Sequence, residues 1–380
     1  YGNTTKVYFG KGGVKEYLCC LLKNVGDTVM LAYGGGSIKK NGIYDEVAAI
    51  LQKAGKTVVD FSGIMSNPTY RKVQEGAKLV RENHVDFILA VGGGSVIDCC
   101  KIVSAQAKSA EDIWDMETVK RNDPSDFVPM GAIVTAAGTG SEMNNGAVIT
   151  NEDKKIKCGL MGAQAQFVFL DPSYTMSVPF KQVISGAFDT LSHAMETYFG
   201  KPDDNNLSDD INEAIMRSVI RNIRILLRDR ENYDARSELM WASSMAENGI
   251  LKIGKITDFQ CHQIEHQLGA YTDCNHGQGL AVIHPVLYRH IYKDGVERFA
   301  RFAENVWGIK GKKTAEKTAL AGVDALAAFI KEIVLPTRFT QMGIPADTDF
   351  RAVADSTNIT AGRCKKLTHD EIYDILQECI

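Results

Sequence analysis

FILAVGGGSVIDCCK, residues Phe87 to Lys101, changes character halfway along. Five apolar residues in a row, closed by glycine, suit a strand buried on both faces of a parallel sheet. Three glycines then strip a turn of side chains, and a helix is expected from Ser95. Strand, bare loop and helix start in that order make an anion site, because unobstructed amides approach a pyrophosphate and the helix dipole favours its charge. Ser95 and Asp98 also fit a capping box, S-x-x-D, a structural reason for part of the stretch. Capping does not require three glycines, so Gly93, Gly94 and Ser95 are read as diphosphate contacts.

The same alternation extends on both sides. TVMLAY (Thr28 to Tyr33) and KTVVDF read as strands, Tyr44 to Ala54 and Tyr70 to Asn83 as helices, and GAIVT (Gly131 to Thr135) as a further strand. AVITN and KIKCGL suit a hairpin turning at Glu152 to Lys155, and FVFLD, ending at Asp171, suits the last strand. Strands alternating with helices predict a parallel sheet wrapped by helices. Two more loops sit where strands end. YGGGSIKKNG carries Gly34 to Gly42 with Lys39 and Lys40, and TAAGTGSEMN offers the hydroxyls of Thr135, Thr139 and Ser141. No loop matches G-x-G-x-x-G, so the usual dinucleotide fingerprint is absent. Three such loops at strand ends nevertheless fall where open α/β sheets bind ligands.

Beyond Pro179 the period becomes helical, as in Asn212 to Leu227, Ala235 to Asn248 and Lys313 to Glu332. The reading is therefore an α/β N-terminal dinucleotide-binding domain with a Rossmann-like parallel sheet over residues 1–177. An all-α C-terminal metal-binding, catalytic domain follows over 178–380.

The helical half carries the chemistry. Asp189 and His193 are four residues apart in GAFDTLSHAME, and His262 and His266 repeat that offset in CHQIEHQLGA. Side chains four apart share a helix face, so each pair can aim two groups at one point. His276, in DCNHGQG, adds an imidazole, and six of the eight histidines lie between His193 and His290. Imidazole and carboxylate are common ligands of divalent metals. One Asp and three neutral imidazoles around a dication leave a net charge of plus one, suited to polarising a carbonyl or holding an alkoxide. Individual histidines could equally be core groups with hydrogen bonds; the cluster points to a metal.

Composition narrows the class. A length of 380 residues suits two domains, and a formal charge of −4 with interspersed acids and bases gives no footing for nucleic acid or an acidic membrane surface. The longest apolar runs, such as TALAGVDALAAFI, fall short of a membrane span. Nine cysteines without a C-x-x-C pair read as reduced thiols packed as small apolar residues, which implies a cytoplasmic protein. Cys261 and Cys274 flank the histidines, and simple packing is the expected role for both.

With both halves read, the chain resembles the iron-containing alcohol dehydrogenases, whose fold is shared with dehydroquinate synthase, and within them the butanol dehydrogenase branch. The resemblance runs from KVYFGKGGV through SNPTY, AVGGGSVID, GTGSE, LDPSYT and GAFDTLSHAMET to HQIEHQLGAYTDCNHGQGLAV. It implies Asp189, His193, His262 and His276 as ligands of Fe²⁺ or, in some members, Zn²⁺. His266 matches a family histidine near the metal and is the candidate proton relay. The resemblance also implies dinucleotide contacts at Gly93, Gly94, Ser95 and Val96 for the diphosphate, Asn67 for the ribose, and Thr135, Thr139 and Lys157 elsewhere. NAD-preferring relatives carry an acid just after the first strand of the sheet domain. Gly34, Gly35, Gly36 and Ser37 stand there instead, which favours NADP(H). Asp60, at the end of the next strand, is the opposing cue for NAD by the generic rule, and dual use is the alternative.

The expected reaction is hydride transfer between nicotinamide C4 and the carbon of a short- to medium-chain primary alcohol or aldehyde, in a cleft between the domains, with the substrate oxygen on the metal. A homodimer is expected. The rivals are a non-redox cyclase of dehydroquinate synthase type, which needs Lys and Arg converging on an anionic substrate, a glycerol dehydrogenase-like polyol oxidoreductase, and a non-catalytic dinucleotide sensor. The nearest cations in sequence are Lys252, Lys255 and Arg289. Side chains such as Phe188, Trp241 and Tyr271 are the candidates for setting pocket size.

Overall fold

A computed structural model of the chain describes residues 1–202, 206–311, 314–362 and 364–380. It comprises two compact units, Tyr1–Pro179 and Phe180–Ile380.

In the first unit, strands β1 (Lys6–Phe9), β2 (Thr28–Tyr33), β3 (Thr57–Phe61), β4 (Phe87–Gly92), β5 (Met130–Val134) and β8 (Phe167–Leu170) form one sheet. Its order is β1-β8-β5-β4-β2-β3, and every pairing is parallel. β6 (Gly146–Asn151) and β7 (Ile156–Met161) make a separate antiparallel hairpin. Helices α1 (Gly13–Leu21), α2 (Ser37–Lys40), α3 (Ile43–Lys53), α4 (Tyr70–Glu82), α5 (Gly94–Lys108) and α6 (Ile113–Thr118) connect them. β4 is buried along its whole length, as a central parallel strand covered on both faces must be. On one face Val14 and Leu18 of α1 and Val47 and Leu51 of α3 pack against Leu31, Leu89, Ile133 and Phe169.

The topology selects a place for a ligand. From β2 the chain steps outward to β3, then returns past β2 to form β4 on its other side. Parallel sheets bind ligands at such a reversal, beyond the carboxyl ends of the strands. Tyr33 pairs with Val91 and Gly92 with Val134, so the loops after β2, β4 and β5 leave the sheet side by side.

Two local readings need correction. Ser95 and Asp98 do not form a capping box: α5 begins one residue earlier at Gly94, with Gly93 as a cap that offers no side chain. Asp98 turns away instead, accepting from the Val148 amide at 2.9 Å and from the Ser141 hydroxyl. The stretch Gly34 to Gly42 is also not all loop, because Ser37–Lys40 makes one helical turn behind Gly36 at φ 107°.

The second unit is helical: α7 (Phe180–Tyr198), α8 (Leu207–Arg228), α9 (Tyr233–Glu247), α10 (Gln260–Thr272), α11 (His276–Ile291), α12 (Val296–Trp307), α13 (Ala315–Glu332), α14 (Phe350–Ser356) and α15 (His369–Glu378). The helix expected from Lys313 starts at Ala315, and Lys313 itself lies outside the described residues. Its core gathers Leu191, Tyr198 and Phe199 of α7, Ile223 of α8, Ile264 of α10, Leu287 of α11, Phe302 of α12 and Phe329 of α13. Among the described residues no helix is long and apolar enough to cross a membrane.

Candidate metal centre and cofactor loops

α7, α10 and the start of α11 deliver the candidate ligands. Asp189 and His193 lie one turn apart on α7, and His262 lies in the first turn of α10. His276 is the first residue of α11, fixed by the side chain of Asn275, which accepts from the Gln278 amide at 3.1 Å. The motif H-G-Q-G here serves close approach. A Cβ on Gly277 would lie 2.3 Å from the Ser185 carbonyl oxygen of α7, and one on Gly279 would lie 2.8 Å from Cγ of Glu265 on α10. Only glycine lets α11 begin between those two helices, and that places His276.

One oxygen is the focus. Asp189 Oδ1 stands 3.6 Å from His193 Nε2 and 3.4 Å from both His262 Nε2 and His276 Nε2. Ligands held at about 2.1 Å around a tetrahedral ion are separated by about 3.4 Å, so these spacings fit the edges of such a shell. Asp189, His262 and His276 form a group whose ligand atoms all lie within 4.8 Å of one another. His193 stands just outside that trio, stacked on His262 with ring centroids 4.6 Å apart at 22°. Asp189 Oδ1 and His262 Nε2 are also buried without a hydrogen-bond partner among the described residues. Buried polar atoms are nearly always satisfied, and a cation would satisfy these. His266 completes the cluster, its ring 5.9 Å from His262 and 5.6 Å from His276, and is nearly buried.

Behind the imidazoles stand carboxylates that the sequence reading did not single out. Glu196 of α7 contacts His262 Nδ1, and Glu265 of α10 contacts His276 Nδ1. Both are fully buried. A signal existed in the pattern: Asp189, His193 and Glu196 follow i, i+4 and i+7, one face of α7. With these two added, a dication and neutral imidazoles leave a net charge of minus one, not the plus one counted from four ligands.

The charges are strongly coupled. Burial alone would raise the Asp189 carboxyl, but His193 and His276 hold it well below its ordinary value. Burial lowers His193. It would lower His262 as well, yet Glu196 and Asp189 carry that imidazole up to about 10. Glu196, despite burial, is held down by His262. Cys261 is fully buried with its thiol pushed well above the ordinary value by burial, as a packing residue would be. Phe188 is likewise a core residue, edge-on to His284 at 6.1 Å, while Trp241 is largely exposed on α9.

In the first unit the predicted cofactor residues fall into three groups. Gly93, Gly94, Ser95 and Val96 occupy the β4–α5 turn, with Thr135 and Thr139 in the adjoining loop. The Thr135 amide donates to Gly92 O at 3.0 Å, and Thr139 packs so closely on Gly94 that an added Cβ would meet its Oγ1 at 2.2 Å. Asn67, at φ 52°, accepts from Lys157 Nζ at 2.9 Å, which joins the loop after β3 to the hairpin. Gly35, Gly36 and Ser37 form the β2–α2 turn. Asp60 does not stand alone there: the Tyr44 hydroxyl donates to its carboxylate at 2.9 Å. Lys39 Nζ lies over the Tyr44 and Tyr33 rings at 4.6 and 5.3 Å. A second network, absent from the sequence reading, has buried Lys101 donating to Ser141 Oγ, Asn144 Oδ1 and Gly146 O at 2.7–3.0 Å.

Comparison with known proteins covers both units. The family described as "Iron-containing alcohol dehydrogenase" matches residues 4–172, and "Fe-containing alcohol dehydrogenase family, C-terminal" matches 183–380. The chain is 40% identical to the probable NADH-dependent butanol dehydrogenase 1 of Bacillus subtilis, over 99% of this chain and 98% of that protein. It is 35% identical to the NADPH-dependent aldehyde reductase YqhD of Escherichia coli, over 90% and 88%. The crystal structure of NADH-dependent butanol dehydrogenase A from Thermotoga maritima superposes with a TM-score of 0.93 at 33% identity, covering 100% of this chain and 98% of that one. The chain belongs to the iron-containing alcohol dehydrogenase family.

Proposed function

We propose that this protein is a metal-dependent, NADP(H)-linked alcohol dehydrogenase and aldehyde reductase acting on short- to medium-chain primary alcohols and aldehydes. The observation that carries the reading is the set of spacings, 3.4 to 3.6 Å, from Asp189 Oδ1 to three imidazole nitrogens. Asp189, His193, His262 and His276 hold the dication, Fe²⁺ first and Zn²⁺ as the alternative. When bound, the metal supplies Lewis acidity toward the substrate oxygen, and the nicotinamide supplies or accepts the hydride. His266, beside the ligands yet not among the atoms around Asp189 Oδ1, gives or takes the proton of the alcohol. Gly93, Gly94, Ser95 and Val96 bind the diphosphate through amides at the start of α5. Asn67, Thr135, Thr139 and Lys157 line the rest of the dinucleotide.

NADP(H) is favoured because Gly35, Gly36 and Ser37 present no carboxylate after β2 to repel a 2′-phosphate. Asp60 is already engaged by Tyr44. Against the cyclase alternative, the cations nearest the ligand motifs in sequence are already paired: Lys252 with Glu247 at 2.7 Å, Lys255 with Asp209, and Arg289 with Asp324 at 3.1 Å. A homodimer in the cytoplasm completes the proposal, supported by the prevalence of twofold oligomers and by nine free thiols.

The test is an anaerobic assay of chelator-stripped protein re-metallated ion by ion, with NADPH or NADH and an aldehyde series. Activity should return with Fe²⁺ or Zn²⁺, with net NADPH consumption preferred over NADH. His262→Ala should bind dinucleotide normally and turn nothing over. Undiminished turnover by the metal-free protein would refute the reading.

A further inference from the structure

The geometry points to Glu196 and Glu265 as positioning residues of the metal centre: each accepts the Nδ1–H of one imidazole and so turns Nε2 of His262 and of His276 toward Asp189 Oδ1. The inference rests on the proposed ligand set and goes beyond it.

Two observations carry it, together with the chemistry of a neutral imidazole. The two carboxylates come from different helices, α7 and α10, yet do the same thing, contacting Nδ1 of an imidazole whose Nε2 lies 3.4 Å from Asp189 Oδ1. Both are completely shielded from water, so each is committed to its partner at a desolvation cost that a surface role would not impose. A neutral imidazole carries one proton, and a carboxylate at Nδ1 keeps that proton there, leaving Nε2 as the lone-pair donor and raising its basicity.

The third candidate ligand supplies the contrast. His193 Nδ1 has no hydrogen-bond partner among the described residues, and its ring is oriented by stacking on His262 and Phe259. The acidic groups acting on it are Asp189, one turn away, and then Glu247, itself engaged with Lys252. Two imidazoles are thus locked by carboxylates and one by packing.

A purely structural role must be separated from this one. Glu196 also accepts the amides of Cys261 at 2.7 Å and His262 at 3.3 Å, at the start of α10, where Phe259 offers no side-chain cap. Its removal therefore uncaps a helix as well as freeing an imidazole. Glu265 lies in the second turn of α10, past that helix's unbonded N-terminal amides, and also accepts from the weak donor Cys274 Sγ at 3.7 Å. It is the cleaner probe.

The experiment measures Zn²⁺ affinity of the full chain by competition with a chromogenic chelator, and the visible spectrum of the Co²⁺ form. Wild type, Glu265→Gln, Glu265→Ala, Glu196→Gln and His262→Ala are compared. Glu265→Ala should bind Zn²⁺ about 10- to 100-fold more weakly, with altered Co²⁺ bands. Glu265→Gln, which keeps the shape and an acceptor oxygen, should fall between it and wild type, and Glu196→Gln should weaken binding similarly. Folding is checked by undiminished dinucleotide binding and helical circular dichroism. If the Glu265 and Glu196 variants bind Zn²⁺ within twofold of wild type with unchanged Co²⁺ bands, while His262→Ala loses the metal, the inference is wrong and the ligand set stands. If His262→Ala keeps full affinity, the ligand set falls, and this inference with it.

Discussion

His284 lies in the core of the helical unit, one hydroxyl removed from His262. It is fully buried on α11, with Nε2 2.6 Å from Ser192 Oγ, and Ser192 also touches His262 Nδ1 at 3.5 Å. Burial lowers the His284 imidazole to about 4 from 6.5. The unfolded chain thus takes up a proton near pH 6.5 while the folded chain resists until about pH 4. Stability from this residue is complete above pH 6.5 and is lost as pH falls toward 4, by roughly 3 kcal/mol in order of magnitude. Urea unfolding across that window should fall less steeply for His284→Leu than for wild type; equal slopes would show that another group dominates. At this scale the sequence was partly legible. The convergence of Asp189, His193, His262 and His276 could be foreseen because imidazoles are rare and helical offsets are short. Glu196 and Glu265 are hidden among 47 acidic residues, and their role depends on which helix lies opposite.

Elements were read well where local pattern dictates them and poorly where a distant partner does. The buried runs of β2, β4 and β5 and the helical period beyond Pro179 are local properties, and the structure has both. The helix start at Ser95 was misread because Asp98 is claimed by Ser141 and Val148, some 43 and 50 residues away. The glycines of H-G-Q-G are likewise explained by α7 and α10, not by their own neighbours. Gly277→Ala tests this. In an ordinary helix the change would gain about 1 kcal/mol of propensity. Here the new methyl meets a carbonyl oxygen at 2.3 Å, a backbone contact that cannot swing away. The expected result is a net loss of about 1–3 kcal/mol in thermal or urea unfolding, with weaker metal binding as His276 is displaced. A stabilised variant would contradict the packing role.

In the proposed function the work is divided by unit: the parallel sheet would offer its strand ends to a dinucleotide, and the helical unit would supply the ligands of a dication. Composition and charge gave no sign of a nucleic acid or membrane partner and did not identify a substrate, because pocket shape is set by residues brought together only in the fold. The central question is whether Asp189, His193, His262 and His276 share one ion. X-ray absorption at the metal edge of the Fe²⁺- or Zn²⁺-loaded protein tests that directly. The prediction is one ion per chain with a nitrogen and oxygen shell at about 2.0–2.2 Å and the outer scattering of three imidazoles. Sulfur neighbours, or the same spectrum from a His262→Ala, His276→Ala double variant, would contradict it.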